Sequence, residues 1–345
     1  MRTSKKLPAE WEKQSFLQLT FPHQKSDWSS ILDEVTACFV EIIETVARFQ
    51  DVLVICDNIE RVKSFFSSTQ NIWFVHAESN DTWARDHGGI TVLENGKAII
   101  HDYVFNGWGN KFDAGSDNQI TKKLYDKGIF EHCSIKTFGL VLEGGSLESD
   151  GKGTILTTSE CLLSKNRNEH LSKNQIEQRL KENFGAERIL WLNHGCLAGD
   201  DTDSHIDTLA RFCDEKTISY VGCEDPEDEH YEALLQMKKE LQQFKDFEGK
   251  PYKLVELPLP DACFDTDGNR LPATYANFTI VNNAVLVPVY GVSQDEDALK
   301  ILQNCFPQKI IIGVNCRVLI EQHGSLHCVT MQYPEPVKLN KEILS

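Results

Sequence analysis

The chain of 345 residues repeats one local pattern: an amphipathic helix, an apolar strand, a short polar segment and a hairpin. Apolar residues at helical spacing predict helices at 29–48, 58–66, 172–183, 227–245 and 294–305. Two of these helices begin with capping-box patterns, Ser172-x-x-Gln175 and Ser293-x-x-Glu296. Strands are predicted at 52–56, 187–193, 253–260 and 309–320, and a further one at 135–143 follows a weaker amphipathic pattern near 115–127.

These elements fall into five similar units, four of which end in a hairpin such as SLES-DGKG-TILTT. The fifth ends at LHCVTMQ, and FLQLTF (16–21) could supply its missing hairpin partner and close a ring. Five units average about 69 residues, which suits a ββαβ module repeated around a pseudo-fivefold axis. The sequence predicts a single α/β domain, 1–345, built as a five-bladed propeller. An open α/β sheet with several crossovers also fits the alternation.

The charge balance bears on the kind of partner that the protein binds. A formal net charge of −17 argues against nucleic-acid backbones and anionic membranes and favours small cationic ligands. The same surface could simply confer solubility. The 11 cysteines contain no C-x-x-C pair, and the basic N-terminal segment has no apolar core of signal-peptide length. We therefore expect a soluble, cytoplasmic protein with reduced thiols.

Polar residues suited to catalysis occur in the loops of successive units. A ring of such modules would bring these loops to one end of a central axis, so that distant residues converge. The residues selected on chemical grounds are Asp86, Glu143, His205, Asp207, Asn277 and Cys328.

Cys328 is the candidate nucleophile, because it lies where a loop of small residues enters a predicted strand. A buried structural cysteine is the common alternative. Its neighbour His327 would point to the opposite face of an extended chain, so the base must come from elsewhere. His205 fits better, because the His-x-Asp spacing places its imidazole and the Asp207 carboxylate on the same side of an extended segment.

The segment around His205 also permits a metal site, because Asp201, Asp203, His205 and Asp207 alternate like ligands. A calcium loop is disfavoured, since the segment lacks glycine at the sixth position and has Phe212 where the bidentate glutamate belongs. No H-E-x-x-H motif completes a zinc site.

Two further motifs carry carboxylates. Glu143 ends an apolar strand before two glycines, and the following run from Gly145 to Gly153 departs from a nucleotide-binding loop in spacing. Trp83 and Asp86 offer an aromatic face and a carboxylate three residues apart, which could hold a planar cation. A salt-bridged turn packed by Trp83 is the alternative reading.

Seven ordered blocks together resemble the agmatine deiminase and bacterial peptidylarginine deiminase family of guanidine-modifying enzymes. The resemblance extends through nearly the whole chain, in LPAEWEKQSFLQLTFPHQKSDW, NDTWARDHGGI, FNGWGNKF, LEGGSLESDGKGTILTTSECLLSKNRN, GDDTDSHIDTLARF, YANFTIVNNAVLVPVYG and GSLHCVTMQYP. It implies the five-bladed α/β propeller of that family, the pentein fold.

The resemblance also implies roles for individual residues. Cys328 matches the nucleophile, His205 the acid/base, Asp86 and Asp207 the guanidinium clamp, and Glu143 a glutamate near the histidine. In addition, two residues match positions that line the substrate site: Asn277 and Trp83.

The implied activity is hydrolysis of agmatine to N-carbamoylputrescine and ammonia, a step toward putrescine, through a covalent cysteine thiouronium and without metal or organic cofactor. The alternative is deimination of free or peptide C-terminal arginine, which would need a cation such as Arg211 or Arg317 to face the substrate carboxylate. Amidino transfer and a non-catalytic guanidine-binding protein are further alternatives. Relatives of this kind suggest a homodimer, and no nucleic-acid or membrane partner is expected.

Overall fold

The computed structural model describes residues 5–345, and these form an α/β structure. The strands of the described residues, β1 to β19 in chain order, are Lys5–Lys6, Gln14–Thr20, Asp51–Cys56, Ile72–His76, Ile90–Glu94, Lys97–Val104, Phe130–Glu131, Cys133–Val141, Glu148–Ser149, Thr154–Thr158, Arg188–Leu192, Ala210–Asp214, Thr217–Val221, Lys253–Leu257, Thr279–Val281, Ala284–Val289, Ile310–Asn315, Met331–Pro334 and Lys338–Leu339.

The helices of the same residues include short and long segments. The α-helices, α1 to α11, are Leu32–Ala47, Ile59–Lys63, Ala84–His87, Gly107–Asn110, Ile120–Asp126, Ser159–Leu162, Lys165–Asn168, Lys173–Phe184, Tyr231–Leu241, Asp295–Cys305 and Lys341–Leu344. Short 3₁₀ segments are Asp27–Ile31, Asp117–Gln119, Gly144–Ser146, Ile206–Thr208 and Leu319–Gln322. Within residues 5–345, no helix is long and apolar enough to cross a membrane.

Five sheets share one connectivity. In each, two antiparallel strands are followed by a third strand that runs parallel to the second and is reached through a helix. The antiparallel pairs are β5–β6, β9–β10, β12–β13, β15–β16 and β18–β2, and the parallel third strands are β8, β11, β14, β17 and β3. Strands β1 and β4 extend two of these sheets, and β7 pairs with β19. The predicted α/β class is confirmed.

The middle strand of each sheet is mostly buried because it packs on both faces. In β16, for example, Val285, Leu286 and Val287 are fully buried. A buried aliphatic side chain of this size contributes about 1.5–3 kcal/mol relative to an exposed one. The helices cover the sheets with the apolar faces that the sequence pattern predicts. The sheets therefore form a rigid frame for the loops at their ends.

The sheet that joins the two ends of the chain contains the predicted partner of the last unit. Met331 of β18 is paired with Gln18 of β2, as expected from FLQLTF (16–21). The capping box of Ser172 and Gln175 is also confirmed.

Two predictions near residue 300 are wrong. The capping box expected at Ser293 does not form: the helix predicted at 294–305 is found at Asp295–Cys305, and its N-cap, Gln294, makes no side-chain cap hydrogen bond. The Asp295 carboxylate instead accepts hydrogen bonds from the Tyr290 and Gly291 amides and anchors the preceding turn. The strand expected over 309–320 ends at Asn315. The chain then forms the 3₁₀ segment Leu319–Gln322 in the loop that leads to Cys328.

Candidate active site

The candidate residues occupy equivalent loops of the fold. Each loop lies between the last strand of one sheet and the antiparallel pair of the next. Asp86 follows β4, Glu143 follows β8, His205 follows β11, Asn277 follows β14 and Cys328 follows β17. The frame thus places one loop of every sheet where its polar side chains can meet.

Three of these side chains converge on Gly145. A Cβ atom at Gly145 would lie 2.6 Å from Nδ1 of His205, 2.8 Å from Oδ1 of Asp86 and 3.1 Å from Oδ2 of Asp207. The Gly145 amide donates a hydrogen bond to Asp86 Oδ1 at 3.1 Å. Glycine is required here, because any side chain would fill the space between the imidazole and the two carboxylates.

Asp86 lies in a buried environment rich in negative charge. Its Oδ2 accepts a hydrogen bond from Nε1 of Trp108 at 3.0 Å. Burial and the nearby Asp207 and Glu143 carboxylates raise the pKa of Asp86 well above its usual value. Trp108 belongs to the FNGWGNKF block, but its contact with Asp86 was not predicted. A cation between these carboxylates would relieve their repulsion.

Asp207 is held in its charged form by a different set of neighbours. Its Oδ2 lies 2.7 Å from Nδ1 of His327, while Oδ1 has no hydrogen-bond partner among the described residues. Burial acts to raise the pKa of Asp207, but the hydrogen bond and charge of His327 lead the opposing contributions, and the pKa is lowered overall. His327 therefore faces Asp207 and not the Cys328 thiol, as predicted. The extended conformation expected for this segment is wrong, because His327 and Cys328 lie in a turn that precedes β18.

His205 is buried beside both carboxylates. Its Nδ1 is 3.6 Å from Asp86 Oδ1, and neither ring nitrogen has a hydrogen-bond partner among the described residues. Burial lowers the pKa of His205 to about 3, although the Asp207 charge opposes this shift. The imidazole is therefore neutral in the free protein at neutral pH.

The expected extended conformation of the His-x-Asp segment is wrong. The segment Ile206–Thr208 is a 3₁₀ turn, and Asp203 and Ser204 before it have φ angles of 64° and 63°. These left-handed residues redirect the chain, so His205 and Asp207 meet around Gly145 by a tight turn and not by strand alternation.

Glu143 is fixed by an arginine that sequence reasoning missed. Arg167 Nε donates to Glu143 Oε1 at 2.8 Å, and Arg167 Nη2 donates to the Thr202 carbonyl at 2.8 Å. Burial raises the pKa of Glu143, while Arg167 opposes the shift. Oε2 of Glu143 has no hydrogen-bond partner in the described part of the chain. Arg167 thus ties Glu143 to the loop that carries His205.

Cys328 is a nearly buried thiol beside Asn277. Its Sγ lies 3.4 Å from Oδ1 of Asn277, which also accepts a hydrogen bond from the His327 amide at 2.8 Å. Asn277 in turn donates to the Asp207 carbonyl at 3.3 Å. Burial and the Asp207 and Asp86 charges raise the pKa of Cys328 well above its usual value. The Cys328 thiol is therefore protonated at neutral pH.

A cavity of about 420 Å³ opens onto Cys328 and Asp86. Trp83 and Trp108 line it and pack edge to face with their ring centroids 6.2 Å apart. Gly324 lies against Trp83, since a Cβ atom there would approach Trp83 Cζ3 to 2.1 Å. The indoles form an aromatic wall between the thiol and the outer part of the cavity.

The cavity is lined by more acidic than basic side chains. Its acidic residues are Asp27, Asp81, Asp86, Asp113, Asp117 and Asp201, and its basic residues are Lys25, Lys111 and His323. Lys111 is already engaged, because its Nζ donates to Asp203 Oδ1 at 2.7 Å.

Neither arginine considered for a substrate carboxylate lines this cavity. Arg211 is fully buried and pairs with Glu10 and Glu148. Arg317 pairs with Glu321 at 2.6 Å. The cation that the arginine-substrate alternative would need is therefore not supplied to this cavity by Arg211 or Arg317, since both guanidinium groups pair with carboxylates elsewhere.

The alternating metal-ligand reading of Asp201, Asp203, His205 and Asp207 is also wrong. Asp203 pairs with Lys111 and Arg167, whereas Asp207 turns to His327. The groups within residues 5–345 whose donor atoms converge are Glu143–Cys161–His205 and Glu10–Glu148–His327.

Comparison with known proteins places the chain in a family. A family model described as Porphyromonas-type peptidyl-arginine deiminase matches residues 6–334. The agmatine deiminase of Stutzerimonas stutzeri is 32% identical over 357 residues, covering 96% of this chain and 95% of that protein.

Solved structures agree with this match. A C. jejuni agmatine deiminase with substrate bound is 43% identical with a TM-score of 0.92, covering 96% of this chain and 97% of that one. A Porphyromonas gingivalis structure, provisionally described as an arginine deiminase, is 49% identical with a TM-score of 0.94, covering 97% of this chain and 100% of that one. The predicted family is confirmed: the chain belongs to the Porphyromonas-type peptidyl-arginine deiminase family.

Proposed function

We propose that this protein is an agmatine deiminase, a hydrolase that converts agmatine and water to N-carbamoylputrescine and ammonia. The observation that carries the proposal is the convergence of two buried carboxylates, Asp86 and Asp207, and a neutral imidazole at Gly145, with both carboxylates close enough to act on the Cys328 thiol. Agmatine deiminases similar over nearly the full chain support it. A guanidinium is the cation that such a site suits, because it is planar and donates paired hydrogen bonds to carboxylates.

Substrate binding would begin at the carboxylates. The guanidinium would donate to Asp86 and to the unpaired Oδ1 of Asp207, and its charge would lower the raised pKa of Asp86. The same charge would favour the Cys328 thiolate, whose formation the two carboxylates oppose in the free site. Binding and activation of the nucleophile would therefore be coupled.

The first chemical step forms the covalent intermediate. His205 takes the proton from Cys328, and the thiolate attacks the central guanidinium carbon to form a C–S bond. The imidazolium then returns that proton to a terminal nitrogen, the C–N bond breaks, and ammonia leaves. An S-alkylthiouronium remains on Cys328. Asp86 and Asp207 hold the positive charge throughout.

The second step releases the product. His205 takes a proton from water, the resulting hydroxide attacks the same carbon, and the C–S bond breaks to return the electrons to sulfur. The hydroxyl group on that carbon gives up its proton to solvent as the ureido product leaves, and the proton on His205 restores the thiol. Glu143, held by Arg167, would keep the imidazole oriented and stabilise its charged form. No step requires a metal or an organic cofactor.

The outer cavity favours an ammonium over a carboxylate. Asp81 accepts a hydrogen bond from Trp83 Nε1 at 3.0 Å through Oδ2, while its Oδ1 has no hydrogen-bond partner among the described residues. Asp86 accepts from Trp108, so each of the two indoles donates a hydrogen bond to a different carboxylate. This wall would pack on the methylene chain of agmatine, and Asp81 would face its primary amine.

One assay tests the proposed substrate. Agmatine, free arginine and an arginine-terminated peptide are supplied separately, and ammonia and ureido product are measured. Agmatine should be turned over with the highest kcat/KM. Absence of agmatine turnover would refute the proposal, and faster turnover of either arginine compound would favour the alternative substrate.

A matched substrate pair tests the contribution of Asp81. Asp81→Asn should raise KM for agmatine by about tenfold, because a charge-assisted contact is worth about 1.5–3 kcal/mol. Butylguanidine lacks the terminal amine, so its KM should stay unchanged in the same variant. An equal effect on both substrates would assign Asp81 a structural role.

We also propose that the five ββαβ sheets are arranged as blades of one propeller domain spanning 1–345. The repeated strand connectivity and the equivalent positions of the five site loops support this arrangement. A cytoplasmic location is supported by the cysteines, all of which are unpaired thiols. The homodimer stays a prediction.

A further inference from the structure

A group of potential metal-binding atoms that includes His205 also contains a thiol that the deimination scheme does not use. Cys161 belongs to α6 and is fully buried. Donor atoms of Glu143, Cys161 and His205 all lie within 4.8 Å of one another. We propose that these three side chains form an inhibitory binding site for a thiophilic divalent metal ion such as Zn²⁺.

The donors of this group have free lone pairs. Arg167 occupies Oε1 of Glu143 and leaves Oε2 without a partner, and both ring nitrogens of His205 are likewise unpaired among the described residues. Buried polar atoms are rarely left unsatisfied, so these unpaired atoms are available to bind a ligand.

The other convergent group, formed by Glu10, Glu148 and His327, differs in this respect. Its carboxylates pair with Arg211, and both ring nitrogens of His327 lie 2.7 Å from a carboxylate oxygen. Its donors are therefore occupied within the protein. Only the group around Cys161 combines convergence with unpaired donors in the part of the chain that the structure describes.

The donor types and spacing suit zinc. Zn²⁺ binds Cys sulfur, His nitrogen and Glu oxygen at about 2.0–2.3 Å, which places tetrahedral ligands roughly 3.5 Å apart. The donor atoms lie within 4.8 Å of one another, so the three side chains would have to move inward to bind the ion. Three protein ligands leave a fourth position for water. Soft thiolate coordination excludes Mg²⁺ and Ca²⁺, which take oxygen ligands.

The local charge also favours a cation. Arg167 is the positive group nearest this site, and it opposes metal binding. Against it stand three carboxylates that act on Cys161, those of Glu143, Asp203 and Asp86. The metal would displace the proton of the Cys161 thiol, as metal binding to cysteine requires.

Occupation of this site would inhibit deimination by removing the lone pair of His205. This consequence depends on the proposed acid/base function of His205, whereas metal binding itself does not. It also requires no bond to Cys328. Metal capture by Cys328 and His205 together is the competing arrangement, and it would not involve Cys161.

Cobalt spectroscopy tests binding without turnover. Co²⁺ is added to Cys328→Ser, and the thiolate-to-cobalt charge-transfer band is titrated. One equivalent should produce the band, and Cys328→Ser/Cys161→Ala should lack it. A missing band in Cys328→Ser, or an equal band in the double variant, would overturn the proposal. Circular dichroism checks folding, and Cys161→Ser replaces Cys161→Ala if the alanine variant unfolds.

Zinc inhibition tests the consequence for activity. Cys161→Ala should retain agmatine turnover and require about tenfold or more Zn²⁺ for half-inhibition. Cys56→Ala removes a buried cysteine of β3 and should retain the zinc sensitivity of the unmodified protein. Equal sensitivity of Cys161→Ala would overturn the inhibitory site. If agmatine is not a substrate, the cobalt titration still decides whether the metal site exists.

Discussion

Asp86 and Asp207 are both buried, yet their pKa values shift in opposite directions. Asp207 accepts a hydrogen bond from His327 and feels its charge, whereas Asp86 accepts from the neutral Trp108 indole and Gly145 amide. Burial and repulsion from the surrounding carboxylates therefore raise the pKa of Asp86, whereas the pKa of Asp207 is lowered. A bound guanidinium would offset this repulsion, so the site should favour cations.

The acidic limb of the pH profile should report Asp86 and not His205. Below its raised pKa, Asp86 is protonated and loses its attraction for the substrate. His205 stays neutral until about pH 3. We expect kcat/KM for agmatine to fall as the pH is lowered through the pKa of Asp86. Asp86→Asn should be much less active and lose that limb. An unchanged limb in this variant would contradict the assignment.

Gly145 should be intolerant of even one methyl group. In Gly145→Ala the new Cβ would contact His205 and Asp86 at 2.6 and 2.8 Å, so we expect kcat/KM to fall by about 100-fold or more, as for misplaced catalytic groups. Gly139→Ala is the control, because no atom lies within 4 Å of its added Cβ. Steady-state kinetics of both variants would check this. Similar activities would contradict the close convergence at Gly145.

At the level of elements, α7 connects two loops of the site. Arg167 in this short helix pairs with Glu143 and with Asp203, the latter in the loop that carries His205. The three side chains lie between neighbouring sheets. Their ion pairs therefore stabilise the relative position of two loops as well as the individual carboxylates.

Removal of Arg167 should destabilise the fold. Arg167→Ala leaves the buried Glu143 carboxylate without its cation, so the free energy of unfolding should fall by about 3–5 kcal/mol. Lys122→Ala breaks an exposed pair with Asp126 and should change it by about 1 kcal/mol or less. Urea denaturation of both variants checks the difference. Equal small effects would show that Arg167 does not stabilise the fold.

Periodicity predicted most elements because apolar spacing directly reflects burial. The helix predicted at 172–183 is found at Lys173–Phe184 with its capping box. The strand predicted over 309–320 was too long, because CRVLI (316–320), beyond the strand end at Asn315, is mostly apolar in a loop that is itself packed. Apolar composition cannot distinguish a buried loop from a strand end.

The site residues could be selected from the sequence, but their contacts could not. Trp108 and Arg167 lie in recognised blocks, and nothing in their local pattern indicates that they contact Asp86 and Glu143. The buried position of Arg167 is a tertiary property, since arginine is usually exposed. His205 and Asp207 were paired correctly for the wrong backbone reason, because left-handed residues before a turn are not visible in residue spacing.

At the scale of the whole molecule, the N-terminal segment completes the network behind the site. Glu10 Oε2 lies 2.7 Å from Nε2 of His327, and Glu10 Oε1 accepts from the Ile280 amide at 2.7 Å. His327 in turn holds Asp207. The pairing of β18 with β2 brings this segment to the last loop. Residues from both ends of the described chain, Glu10 and His327, therefore position Asp207 in the candidate site.

The net charge of −17 should accelerate encounter with a dication. We expect kcat/KM for agmatine to fall as ionic strength rises, and to fall less steeply for butylguanidine, which carries one positive charge. A series of NaCl concentrations at constant pH measures both slopes. Equal slopes would show that charge attraction acts only at the guanidinium.

In the proposed mechanism, Cys328 forms a covalent bond to the guanidinium carbon of agmatine. Acid quenching during steady-state turnover, followed by mass spectrometry of the digested protein, tests it most directly. The peptide that contains Cys328 should gain the mass of agmatine less ammonia, and the gain should be absent in Cys328→Ser. Turnover without this adduct, or with the adduct on another cysteine, would contradict the proposed chemistry.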